Sequence, residues 1–75
     1  MTAQQIKDII MSFLNDVMLD YPDHDMIFIN PFNENKFELS YDDISKTYDN
    51  IDDLMTDRIF DGKTLTEIAP QLTAL

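Results

Sequence analysis

The stretch Phe37-Glu38-Leu39-Ser40-Tyr41-Asp42-Asp43-Ile44-Ser45-Lys46-Thr47-Tyr48 decides the fold, because it admits two readings. Phe37, Leu39 and Tyr41 alternate with Glu38 and Ser40, a period of two that puts the apolar side chains on one face of a strand. If Asp42-Asp43 is a tight turn, Tyr41 faces Ile44, Ser40 faces Ser45, Glu38 faces Thr47 and Phe37 faces Tyr48. The faces then sort by polarity, with Lys46 opposite Leu39 as the exception. In the competing reading, Ile44, Tyr48, Ile51, Met55 and Ile59 form the stripe of one long helix, started by a capping-box-like Ser40 and Asp43. Thr47 and Tyr48 favour strands, however. Asp49 offers an N-cap with Asp52 and Asp53 in the first turn, where the helix dipole favours negative charge. The hairpin is therefore adopted, against the one objection that an Asp-Asp pair lacks the glycine preferred in primed turns.

Upstream, Met26-Ile27-Phe28-Ile29 is a short apolar run rich in β-formers, read as a strand that leads through the turn-forming residues Pro31, Asn33 and Asn35 into Phe37. Before it, Ile6, Ile9, Ile10, Phe13, Leu14, Val17 and Met18 recur at spacings of three and four. That spacing predicts an amphipathic helix over residues 3 to 20, capped by Thr2 and stopped by Pro22. Downstream, a short helix from residue 50 to 56 or 58 buries Ile51, Leu54 and Met55. Asp61-Gly62 is a turn or C-cap signal, and residues 64 to 69 add a last helical turn through Leu65 and Ile68. The expected fold is α+β: an N-terminal helix on a three-stranded antiparallel meander, then a short helix, in the order α-β-β-β-α. The alternative is α-β-β-α with a long second helix. Phe13, Leu14 and Val17 are expected to pack on Phe37 and Leu39.

A chain of 75 residues makes one small domain, residues 1 to 75, and buries only roughly 60% of the surface exposed by its unfolded form. Fifteen Asp and Glu against five Lys and Arg give a net charge of -10. Such a balance argues against direct nucleic-acid binding, which needs a cationic footprint. The absence of cysteine excludes disulfides, thiolate metal sites and thiol nucleophiles. With neither a secretory signal pattern nor a run of about 18 apolar residues, the chain reads as soluble and cytoplasmic, with no membrane partner. So small a core is often supplemented by association, which leaves self-association open.

No chemical motif survives inspection. Gly62-Lys63-Thr64 ends like a phosphate-binding loop, but Asp57 stands where its first glycine belongs. Asp57, Asp61 and Gly62 fit three positions of a calcium loop, whereas Ile59 and Ile68 occupy two that require oxygen ligands. The acid clusters Asp20/Asp23/Asp25 and Asp49/Asp52/Asp53 read as solvated loop and cap carboxylates. His24, the one histidine, has no imidazole partner and no nearby serine nucleophile. No catalytic residue, cofactor or metal is expected. What remains is the sustained negative field of residues 20 to 61. It suits ordinary solubility and equally suits steering onto a basic protein partner.

The expectation is therefore a non-enzymatic interaction module, an acidic adaptor or inhibitor of a basic protein. The alternative is a structural or oligomeric accessory protein that associates through an apolar patch. The interaction residues proposed from sequence are Tyr41, Asp42, Asp43, Tyr48, Asp49, Asp52 and Asp53, with the tyrosines as anchors. This requires the tyrosines to be exposed, whereas cross-strand tyrosines on an apolar sheet face are more often core.

Overall fold

The computed structural model describes residues 1–75. Helix α1 (Ala3–Ile10) leads into four strands, β1 (Val17–Asp20), β2 (Ile27–Asn33), β3 (Lys36–Tyr41) and β4 (Ile44–Tyr48). Two short helices follow, α2 (Ile51–Thr56) and α3 (Leu65–Ile68), then a 3-10 turn at Ala69–Gln71 and a two-residue strand, β5 (Thr73–Ala74). The strands form one antiparallel sheet in the order β4-β3-β2-β1-β5. The α+β class is as expected, with five strands in place of three.

The deciding stretch is a hairpin in the register that its polarity dictates. Tyr41 pairs with Ile44, Ser40 with Ser45, Leu39 with Lys46, Glu38 with Thr47 and Phe37 with Tyr48. Asp42 takes the missing glycine's place at a φ of 56°, so the long second helix of the alternative is excluded. Lys46, out of place by polarity, reaches across the β4 edge to Asp57, which also accepts the Tyr48 hydroxyl at 2.8 Å. Its ammonium lies 5.7 Å from the Tyr48 ring centre, so the aliphatic stem covers apolar surface while the charge stays wet.

The N-terminal helix is shorter than its spacing predicts, ending at Ile10 instead of near residue 20. The Ser12 hydroxyl donates to the Ile9 carbonyl at 2.7 Å, and the Ser12 and Phe13 amides bond three residues back, tightening the last turn. Phe13 then adopts a φ of 53°, from which a helix cannot continue. Beyond it, Val17, Leu19 and Tyr21 are buried while Met18 and Asp20 are exposed, the period of two of a strand. This strand, β1, pairs with β2 on one side and with β5 on the other. In consequence Leu14 is 80% exposed, and Phe13 touches the core only from its rim, its ring centre 6.1 Å from that of Phe37. Of the expected core, Val17, Phe37 and Leu39 are buried; Phe13 and Leu14 are not.

Side-chain caps fix the other helix ends. Thr2 and Gln5 form a capping box on α1, and Thr64 with Glu67 repeat it on α3. Helix α2 begins one residue later than expected, with Asn50 as N-cap accepting the Asp53 amide at 2.8 Å. All three helices lie on one side of the sheet. Ile6 and Ile10 of α1, Leu54 and Met55 of α2, and Leu65 and Ile68 of α3 close over Leu19, Ile27, Ile29, Phe37 and Leu39. Every buried side-chain polar atom has a hydrogen-bond partner, and no helix is long and apolar enough to cross a membrane.

Replacing Leu39 or Phe37 by Ala should cost on the order of 2 to 5 kcal/mol, a large part of the stability of so small a domain. Leu14→Ala should stay within about 0.5 kcal/mol of the parent. Urea unfolding of the three variants tests the inner and outer assignments together; a loss for Leu14→Ala as large as for Leu39→Ala would contradict them.

Candidate functional site

Three chain connections meet at one end of the sheet, and each turns on an aspartate in the left-handed region. In the β1–β2 connection the His24 amide donates to the Tyr21 carbonyl at 2.9 Å, closing a turn with Pro22 and Asp23 at its centre. Pro22 sets the first central φ and Asp23, at 65°, takes the position that type II turns usually give to glycine or asparagine. The β3–β4 turn places Asp42 at 56°. Between α2 and α3, Phe60 and Lys63 exchange both backbone hydrogen bonds around Asp61-Gly62, whose φ values of 55° and 82° are those of a primed hairpin turn. An aspartate tolerates such a φ, yet glycine adopts it at no steric cost.

These turns rim an open basin of about 470 Å³, lined by Asp23, His24, Asp25, Tyr41, Asp42, Ile44, Ile59 and Asp61. Beneath it, aromatic rings pack together, Tyr21 and Phe60 being buried. His24 stacks on Tyr21 at 4.0 Å between ring centres, Tyr41 packs against Phe60 at 4.8 Å, and the Tyr41 hydroxyl lies 3.3 Å from His24 Nδ1. Burial, helped by the charges of Asp61, Tyr21, Asp25 and Asp42, holds the Tyr41 phenol above its ordinary range, so it stays protonated. The Asp42 carboxyl is likewise held above the usual carboxylate range. The main cause is Asp25, which accepts a hydrogen bond available only from the protonated form of Asp42 and repels its charge, with Asp43 adding to the repulsion. The three ion pairs, Lys7–Asp52, Lys46–Asp57 and Arg58–Glu67, leave all four rim aspartates unpaired. The carboxylates are nevertheless too dispersed for a metal: nowhere do three His, Asp or Glu side chains converge to hold an ion.

The residues proposed from sequence are divided by this geometry. Tyr41 and Asp42 line the basin, and Asp43 stands beside it. Asp49, Asp52 and Asp53 lie beyond the opposite end of β4, roughly 17 Å of strand away. There Asp52 pairs with Lys7, and Asp53 caps α2 with Asn50. Tyr41 and Tyr48 are only 8% and 7% exposed, so neither is a free aromatic anchor: both point to the helix-covered face, where alternation puts them. Tyr48 donates to Asp57, and burial first, then that carboxylate, pushes its phenol up. Asp23, His24, Asp25 and Asp61 were missed as one group. Their signal was the placing of Asp at three turn dipeptides, Pro22-Asp23, Asp42-Asp43 and Asp61-Gly62.

Comparison with protein-family models, curated proteins and solved structures returns no match to the chain.

Folded Asp42 holds its proton more tightly than the unfolded chain does. The stability this contributes is fully present below the ordinary value of 3.8 and is lost as pH rises through the elevated folded value. Asp57, lowered by hydrogen bonds from Lys46 and then Tyr48, works in the opposite sense: its contribution is present above 3.8 and is lost as pH falls. Asp42→Asn should thus gain on the parent as pH rises from about 3 to 7. In Asp25→Asn, carboxyl NMR titration should find Asp42 moved down toward its ordinary value; an unmoved Asp42 would show that Asp25 is not the cause.

Proposed function

We propose that this protein is a non-enzymatic interaction module, an acidic adaptor or inhibitor that binds a basic protein partner in the cytoplasm. The observation that carries the proposal is the basin rim. Asp23, Asp25, Asp42 and Asp61 rim one hollow without an ion-paired cation, and three of them occupy backbone positions where glycine would be cheaper. Asp42 costs the free protein twice, through repulsion by Asp25 and Asp43 and through local backbone strain, of order 1–2 kcal/mol for a left-handed residue, and Asp23 and Asp61 bear the second cost. A lysine or arginine side chain entering the basin offsets the first cost. The net charge of -10 adds long-range steering toward such a partner.

The second reading, an accessory protein that associates through an apolar patch, is favoured by a different observation. Met18, Met26 and Leu75 are exposed on the side of the sheet that carries no helix.

Affinity capture with two baits, the parent chain and the triple variant Asp25→Asn, Asp42→Asn, Asp61→Asn, separates these readings. A basic protein should bind the parent at low salt and be lost both at high salt and with the variant. Measured with that purified partner, the variant's association rate at low salt should fall about tenfold or more. A partner bound equally by both baits at both salt concentrations would transfer the function to the apolar surface.

A further inference from the structure

The sheet buries one face only. On the other, the cross-strand register sets three large apolar side chains side by side across β5, β1 and β2. The Leu75 amide donates to the Met18 carbonyl at 3.0 Å, continuing the β1–β5 ladder, and Met18 lies opposite Phe28. Met26 stands two residues before Phe28 on the same face. Met26 and Phe28 line a second depression of about 390 Å³ that is rimmed by Ser40, Asp25 and Asp42. Met18 and Met26 are 40% and 46% exposed. The apolar row is two inter-strand spacings wide, roughly 10 Å, about the diameter of an α-helix.

The charges around this row are of one sign. Asp20 alternates onto the same face beside Met18, Glu38 lies on the β3 side, and Asp25 and Asp42 form the ridge shared with the acidic basin. Lys36, the base that alternation places on this face, is at the far hairpin end, over the Phe32 ring at 4.9 Å. A second copy of the chain, itself at -10, would bring the same carboxylates into opposition. A partner with an apolar stripe flanked by cations meets both the row and its rim.

We propose that the open sheet face along Leu75, Met18 and Phe28 is the docking surface for an amphipathic basic helix of a partner protein. Its apolar stripe lies on Met18 and Phe28, and its lysines or arginines reach Asp20, Asp25 and Asp42. The proposal rests on the basic-partner reading and adds the apolar half of the contact, a helix-on-sheet layer that the chain leaves open.

The test uses the full chain with isotope-labelled methionine methyls. Met18 and Met26 report the face, while Met11, at the end of α1, and Met55, in the core, serve as internal controls. Three synthetic peptides are the probes: one with leucines at helical spacing flanked by lysines, one of the same composition scrambled to abolish the stripe, and one with the stripe intact but glutamates replacing the lysines. The first should shift Met18 and Met26, spare Met11 and Met55, and bind at least about tenfold tighter than either of the others. Phe28→Thr should weaken it about tenfold. If that variant is unfolded by its spectrum, Met18→Thr carries the same expectation.

Equal, salt-sensitive binding of the scrambled peptide would overturn the docking face while leaving the acidic basin standing. Equal binding of the glutamate peptide would overturn the basic partner instead. Shifts of Met18 and Met26 with protein concentration, together with a dimer in sedimentation, would replace the helix by a second copy. Binding of none of the three would remove the proposal.

Discussion

Strand β3 cannot slip by one residue, and most of the structure follows from that. Its pairing with β4 through a two-residue turn and with β2 through a bulged hairpin puts Phe37, Leu39 and Tyr41 on one side and Glu38 and Ser40 on the other. A shift of one position would expose all three apolar side chains together. With that face committed, the remaining apolar groups have one place to go. Ile6, Ile10, Leu54, Leu65 and Ile68 all close from the same side, so the domain has two layers and a bare sheet face instead of a sandwich. The same register sends the β3–β4 turn and the β1–β2 connection to one end, which is where the acidic basin forms.

What could be read from the sequence follows the range of the interactions involved. The β3–β4 hairpin was legible down to its partners, because alternation and a turn are local signals, and so were the caps at Thr2 and the helical turn after Thr64. Strand β1 was not. Phe13, Leu14, Val17 and Met18 fit a helical stripe, and only pairing on both edges, with β2 and the distant β5, tips residues 17 to 20 into a strand. A two-residue strand such as β5 has no periodicity to detect. The candidate site was half legible, since Tyr41 and Asp42 were singled out but grouped with Asp49, Asp52 and Asp53 at the wrong end of β4. The burial of Tyr41 and Tyr48 was implied by the alternation that placed them opposite apolar neighbours.

Charge in this protein is arranged by function of place more than by amount. Where the fold needs carboxylates, they are paired or capping: Asp57 joins Lys46 and Tyr48, Glu67 closes the α3 cap, and Asp53 completes the start of α2. Exposed pairs of this kind contribute little individually, a median near 0–1 kcal/mol. At the basin, by contrast, no carboxylate is paired with a cation, and Asp42 holds its proton more tightly beside Asp25. That contrast separates structural acids from those available to a partner.

The β1–β5 ladder joins Leu19 to Ala74 and so closes about three quarters of the chain, whereas the β2–β3–β4 hairpins close within a few residues. Loop-closure entropy rises with the length closed, so the hairpins form at little entropic cost and the outer strand bears the largest. The β2–β3–β4 hairpins are consequently expected to pair first, and β5, a two-residue edge strand, to fray first.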